Sequence, residues 1–254
     1  MKEEKCKVSE NINIKGKYYS MKIETAYIAK KSRPGNFVMA AVSTASDPLL
    51  KRPFGIFRAA PPFIWLYYEV VGKGTELLSQ KKKGDFLTLL GPLGNSFPGL
   101  ENKNILLVAG GRGIAPLFYA AEDYVSRNNL FLIYGAKSAA DLNLLDKLEA
   151  LNMTGTYFYT DDGSAGKKGF VTTDIREIIE TQKIDLTISC GPEAMFKSLN
   201  GELKGLDVEN YASLEAIMGC GFGICYSCAV KSAAGDYKKV CADGPVFRLE
   251  DIEW

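Results

Sequence analysis

The chain has 254 residues, 46% hydrophobic and 24% charged, with a formal net charge of +1. That length accommodates two ordinary domains and a small appendage, each larger one able to bury a core of its own. The near-neutral balance excludes a general electrostatic attraction to nucleic acid or to a membrane surface. There is no histidine, which removes Ser-His-Asp and Cys-His catalysis, His-ligated zinc or haem, and a Rieske-type centre.

From Met1 to Cys6 no apolar run could serve as a secretory signal, so a cytoplasmic location is expected and disulfides are not. From Lys17 to about Pro98 short strand-like segments alternate with turn signals: Tyr18 to Glu24, Asn36 to Val42, Phe63 to Val71 and Asp85 to Leu90, with Pro34-Gly35, Pro61-Pro62 and Gly91-Pro92 between or after them. A small antiparallel barrel is expected. The most apolar stretch, Phe54 to Val71, carries Arg58, Pro61-Pro62 and Glu69 and falls short of the roughly 20 apolar residues of a membrane span, so core strands are expected instead. Within the expected barrel Arg52-Pro-Phe-Gly55 sets a cation at a rigid strand start, and Gly72-Lys-Gly-Thr75 adds a flexible turn with a hydroxyl. The planar fork of arginine suits a diphosphate. An ordinary surface turn accounts for either motif taken alone.

After Asn102 the pattern becomes strands alternating with amphipathic helix-length segments, the signature of a parallel sheet made of βαβ units. Strands are expected at 104–109, 130–134, 156–159 and 186–189, and helices near 115–127, 142–151, 172–181 and 193–203. Gly110-Gly-Arg-Gly113 lies between the first strand and its helix, where glycines let a diphosphate approach a helix N-terminus. Without the full G-x-G-x-x-G spacing it reads equally as a tight βα turn. Ser189-Cys-Gly-Pro-Glu193 ends another strand on the same carboxyl edge, the edge where open α/β sheets bind ligands. The boundaries expected are 1–100, 101–211 and 212–254.

Four of the six cysteines close the chain: Cys220, Cys225 and Cys228 in C-x4-C-x2-C spacing, then Cys241. That is the spacing of a plant-type [2Fe-2S] site, with three thiolates on one loop and a fourth from elsewhere. Gly221 and Gly223 suit a backbone that wraps a cluster closely. A zinc site and inert thiols remain alternatives, although zinc ribbons present two short C-x2-C pairs and here only Cys225 and Cys228 are so spaced. Cys6 has no partner pattern.

Several motifs also carry a family resemblance. They are Arg52-Pro-Phe-Gly-Ile56, Tyr68 to Thr75, Leu90-Gly-Pro-Leu-Gly-Asn95, Val108 to Pro116, Thr160-Asp-Asp-Gly-Ser164, Cys190 to Glu193 and, most specific, the tail from Ser213 to Phe247. On these the chain resembles the ferredoxin-reductase-like electron-transfer subunits of class 1B dihydroorotate dehydrogenase. The resemblance implies an antiparallel FAD domain, a parallel α/β NAD domain and a small [2Fe-2S] domain. It implies that Arg52, Pro53, Phe54, Gly55, Tyr67, Tyr68, Glu69, Gly74 and Thr75 hold FAD and that Gly110, Gly111 and Gly113 serve NAD. By the same analogy Cys190 lies near the nicotinamide as a catalytic residue, though a small buried strand-end role suits it equally. Cys220, Cys225, Cys228 and Cys241 are the implied iron ligands. An FMN-containing partner subunit that oxidises dihydroorotate, in a heterotetramer of two of each chain, completes the implied assembly. Two positions depart from the family: Gly55 stands where Ser or Thr is usual, and Arg112 where an apolar residue is usual. A homologous NAD(P)H-linked reductase subunit of another redox complex, and a non-catalytic zinc-binding module, are the competing readings.

Overall fold

The computed structural model describes residues 1–43 and 47–254. They divide into two compact units: 1–96 with 216–229 and 239–245, and 97–215 with 230–238 and 246–254. No helix among the described residues is long and apolar enough to cross a membrane.

In the first unit the elements are β1 (Lys2–Lys15), β2 (Tyr18–Glu24), the short α1 (Ile28–Lys31), β3 (Phe37–Ala41), β4 (Arg52–Gly55), β5 (Arg58–Ala60), β6 (Phe63–Glu69), α2 (Lys73–Ser79) and β7 (Phe86–Leu93). The strands form one seven-stranded antiparallel sheet in the order β4-β3-β7-β1-β2-β6-β5. It is a curled half-barrel with β4 and β5 as its edges. Val8, Met21, Ile23, Val38, Met39, Ile64, Leu66 and Leu89 are fully withdrawn from solvent. The central strand β1 went unforeseen because its sequence, Lys-Glu-Glu-Lys-Cys-Lys-Val-Ser-Glu, is dominated by residues depleted in strands. Pairing on both sides overrides that propensity: Lys2 to Lys7 run antiparallel to β7, and Lys7 to Lys15 to β2.

The second unit holds β8 (Asn104–Gly110), α3 (Ile114–Tyr124), β9 (Asn129–Ala136), α4 (Leu145–Glu149), β10 (Gly155–Thr160), β11 (Lys167–Lys168), α5 (Ile175–Thr181), β12 (Leu186–Cys190), α6 (Glu193–Glu202) and β13 (Glu209–Ser213). Three short strands follow, β14 (Ala229–Lys231), β15 (Tyr237–Lys239) and β16 (Val246–Arg248). The main sheet has the order β11-β10-β9-β8-β12-β13-β16. Its central strands β8 and β12 are buried almost throughout, as parallel strands covered on both faces must be. Helix α3 forms because Leu117, Ala120, Ala121 and Tyr124 repeat at helical spacing toward the core, and Pro116 falls in its first turn, where no intrahelical N–H is lost.

The expected helices at 142–151 and 172–181 are shorter than read, at 145–149 and 175–181. Asn143 and Leu144 leave the helix because the Tyr134 hydroxyl accepts the Asn143 N–H at 3.1 Å and Leu144 adopts φ of 65°. β16, antiparallel to β13, was likewise not foreseen; three residues are too few for a periodic signal.

Candidate functional site

Three groups of side chains occupy the positions singled out in the sequence. In the second unit the chain leaves β8 in one lateral direction toward β9 and β10, and β12 lies on the other side of β8. The gap between β8 and β12 is therefore the topological switch point, where open α/β sheets form a crevice. The loops 110–113 and 190–193 emerge side by side there. A Cβ on Gly113 would stand 1.9 Å from the Cys190 carbonyl oxygen, and one on Gly110 2.8 Å from Met195 Sδ and 2.9 Å from Pro192 Cδ. Both glycines thus serve loop-on-loop packing. Gly111 differs: its φ is +53° and nothing lies within 4 Å of its Cβ position, so the space beside it is open to a ligand.

Cys190 closes β12 with no exposed surface. Burial pushes its thiol well above the ordinary cysteine range, the Glu215 carboxylate adds to this, and a hydrogen bond with the Ser213 side chain opposes it. The sulfur is therefore a neutral, compact thiol and not a thiolate nucleophile. Ser213 is its register partner on β13. Neither Ser213 nor Glu215 was singled out in the sequence for this place; parallel pairing sets Ser213 beside Cys190, and Glu215 follows two residues past the end of β13.

In the first unit β4 carries Arg52, Pro53, Phe54 and Gly55, the end of β6 carries Tyr67, Tyr68 and Glu69, and α2 carries Gly74 and Thr75. The fold brings these segments together. Phe54 meets Tyr68 edge-on at 5.9 Å between ring centroids. A Cβ on Gly74 would lie 3.0 Å from Arg52 Nε, so the guanidinium stem runs across the first turn of α2. Thr75 Oγ1 is engaged locally: it accepts the Val71 N–H at 2.9 Å and donates to the Gly72 carbonyl at 3.0 Å. Glu69 is paired with Lys17. Gly55 ends β4 opposite Phe37, exposed and without a side chain to offer.

The four clustered cysteines also belong to the first unit. Gly221 and Gly223 have φ of +81° and +90°, and a Cβ on Gly221 would stand 2.4 Å from Met39 Cγ, which seats the loop against β3. Tyr226 takes φ of 60° between Cys225 and Cys228. Cys220 Sγ accepts the Ile224 N–H at 3.4 Å, and Cys225 Sγ accepts the Cys220 N–H at 3.3 Å and lies 3.2 Å from Ser227 Oγ. Burial acts to raise the Cys220 thiol, but amides of Cys225, Phe222 and Ile224 outweigh it and bring the thiol down to about 6. The Ser227 hydroxyl and amide, with the Cys220 amide, hold Cys225 below the usual thiol range. Cys241 is pushed up to about 12 by burial and by the adjoining Cys228 side chain. Its turn is held by the Lys239 N–H on Asp243 Oδ2 at 2.7 Å and the Asn95 N–H on the Gly244 carbonyl at 2.7 Å.

Among the described residues no three His, Cys, Asp or Glu side chains converge on one point as the ligands of a single ion would. The thiols stand instead as two adjoining pairs, Cys220 with Cys225 and Cys228 with Cys241. A two-iron cluster asks for that donor set, two thiolates per tetrahedral iron, and amides aimed at sulfur are the outer contacts that stabilise it. The residues fit the group.

Comparison with known proteins agrees with this geometry. Residues 215–253 match the family model described as the iron-sulfur cluster binding domain of dihydroorotate dehydrogenase B, and residues 107–200 match the oxidoreductase NAD-binding domain. The dihydroorotate dehydrogenase B (NAD⁺) electron transfer subunit of Caldanaerobacter subterraneus subsp. tengcongensis is 38% identical over 98% of this chain and 97% of its own. The chain belongs to this family. The counterpart in Bacillus velezensis is 37% identical over 99% of both chains. Among solved structures, one chain described under flavin-based electron bifurcation by an NADH-dependent reduced ferredoxin-NADP oxidoreductase superposes with a TM-score of 0.86 at 31% identity, covering 98% of this chain and 90% of that one. The chain thus joins a ferredoxin-reductase-like half-barrel to a parallel α/β sheet and an iron-sulfur binding segment.

Proposed function

We propose that the chain takes electrons from an FMN-containing dihydroorotate-oxidising partner, in a heterotetramer of two of each subunit, and delivers them through a [2Fe-2S] cluster and FAD to NAD⁺ in pyrimidine biosynthesis. The observation that carries this is the pairing of four cysteine thiols on an amide-lined loop within the unit that also gathers Arg52, Phe54, Tyr68 and Gly74. When bound, the cluster carries single electrons while a flavin exchanges them for the two-electron hydride that nicotinamide requires.

In this reading residues 1–100 serve FAD, 101–211 NAD and 212–254 the cluster. Arg52 binds the flavin diphosphate with its planar fork, and the first turn of α2 supplies amides without intrahelical acceptors. Cys220, Cys225, Cys228 and Cys241 hold iron. Gly111 leaves room for the nucleotide diphosphate beside α3. Cys190, a neutral buried thiol at the end of β12, supports from beneath the 190–193 loop that receives the nicotinamide. Cys190→Ala is therefore expected to lower NAD⁺ reduction by about 10-fold while leaving FAD content and the cluster spectrum unchanged, as read by stopped-flow flavin oxidation.

The cluster loop bears exposed apolar side chains, Ile217 at 86%, Ile224 at 71%, Tyr226 at 58% and Phe222 at 43%. An electron must reach the cluster from the partner over a short distance, so the partner has reason to cover this loop. Ile224→Glu is expected to lower partner affinity by about 10-fold or more in size-exclusion or calorimetric titration, because a carboxylate would be buried unpaired, with the cluster absorbance retained.

Isolation of the chain with its native partner, followed by dihydroorotate-dependent NADH formation, tests the whole reading. A second reading, a homologous reductase subunit of another NAD(P)H-linked complex, is favoured by the full-length match to the bifurcating oxidoreductase chain and by Gly55, which offers no hydroxyl. A partner without FMN, and turnover indifferent to dihydroorotate, would select it.

A further inference from the structure

We infer that Asn11, on β1 and outside every motif noted above, is the positioning residue that sets Tyr68 and α2 for the flavin; the inference rests on reading residues 52–55, 67–69 and 74–75 as the flavin site. Its amide is committed at both ends. Nδ2 donates to the carbonyls of Leu78 at 3.1 Å, Ser79 at 3.1 Å and Lys81 at 2.9 Å, while Oδ1 accepts from the Tyr68 hydroxyl at 3.0 Å. The Leu78 carbonyl also accepts the Lys81 N–H at 3.1 Å, whereas the Ser79 and Lys81 carbonyls lie past the last turn of α2, so one side chain from a distant strand supplies part of what the helix end lacks.

These contacts reach every segment of the candidate flavin site. Tyr68 is buried between the stacked ring of Tyr19, centroids 5.7 Å apart, and the edge-on ring of Phe54 on β4. Helix α2, gripped by Asn11 at its C-terminal end, presents Gly74 to Arg52 at the other. Burial raises the Tyr68 phenol far beyond neutral pH, so it stays a donor to Asn11 at any physiological pH. Among residues of this size asparagine alone offers two N–H donors and, on a separate atom, an acceptor for the phenol: threonine has a single O–H donor, aspartate lacks the donors and leucine lacks both. A shift of the amide therefore moves the helix, the aromatic wall and the arginine together.

The test is a double-mutant cycle on the full-length chain, with FAD affinity followed by quenching of flavin fluorescence and the flavin midpoint potential measured in parallel. Asn11→Ala and Tyr68→Phe are each expected to weaken FAD binding about 10-fold, and the double variant no more than about 20-fold, because the two act through one hydrogen bond. Both single variants should displace the flavin potential in the same direction. If Asn11→Ala fails to fold by circular dichroism, Asn11→Leu, which keeps the volume but offers neither donor nor acceptor, takes its place in the cycle. Wild-type affinity and potential in the Asn11 variant, or an additive loss near 100-fold in the double variant, would overturn the inference alone. A wild-type chain that takes up no FAD would overturn the flavin reading and the inference with it.

Discussion

Cys225→Ser is expected to abolish the rhombic EPR signal of the reduced cluster and to reduce partner-dependent NAD⁺ reduction by at least about 100-fold, while FAD remains bound. The magnitude follows from comparison with outer contacts, whose loss alone costs about 10–100-fold in a metal site; loss of a ligand exceeds that. Cys225 is chosen because it is central in the C-x4-C-x2-C spacing and its sulfur accepts the Cys220 amide at 3.3 Å and lies 3.2 Å from the Ser227 hydroxyl. These donors hold its thiol below the usual range, which favours the thiolate that iron binds. Serine keeps the size but its hydroxyl ionises far less readily. FAD should be spared because Arg52, Phe54, Tyr68 and Gly74 make no use of this sulfur. An unchanged EPR spectrum would remove Cys225 from the ligand set; zinc without iron or sulfide in the purified wild type would remove the cluster altogether.

The second large effect is expected at Gly113. Alanine there would bring Cβ to 1.9 Å from the Cys190 carbonyl oxygen, 2.3 Å from its carbon and 2.8 Å from the Gly191 nitrogen. All three are backbone atoms of the neighbouring loop, so no rotamer change relieves the overlap. The cost should meet or exceed the upper part of the overpacking range, about 3 kcal/mol, and the two loops at the switch point should separate. A lowered midpoint of thermal unfolding together with a raised KM for NAD⁺ is the expected result. Gly201→Ala supplies the contrast: Gly201 lies within α6 with nothing within 4 Å of its Cβ position, and alanine should stabilise by about 0.5–1 kcal/mol. Equal unfolding midpoints for the two variants would show that the close approach at Gly113 carries no strain.

Much of this molecule was legible because local rules are strong where they apply. The buried runs Asn104 to Gly110 and Leu186 to Cys190 could hardly be anything but covered strands, and the change from period-two segments to βαβ spacing near residue 100 separated the two sheet types. The cysteine spacing needed no fold at all. Other features depend on partners far away in the chain. β1 is polar enough to look like a tail and becomes a central strand only because two neighbours pair with it. The Leu90-Gly-Pro-Leu-Gly-Asn95 motif was placed with the flavin domain by resemblance. In the fold Gly94 packs against Pro245, and Asn95 holds the turn that carries Cys241. The Asp-Asp-Gly-Ser stretch closes its own loop, with Ser164 Oγ donating to Asp162 at 2.6 Å and accepting from the Ala139 amide at 2.8 Å.

By itself the sequence determined the two sheet classes, their order along the chain and the C-x4-C-x2-C spacing, because hydrophobic period and cysteine separation are properties of neighbouring residues. Only the tertiary structure decided which glycines are spacers between loops and which leave room for a ligand, which amides face which thiols, and that Asn11 joins Tyr68 to the end of α2. Those relations are set by strand register and by packing between segments tens of residues apart, and no local pattern encodes them.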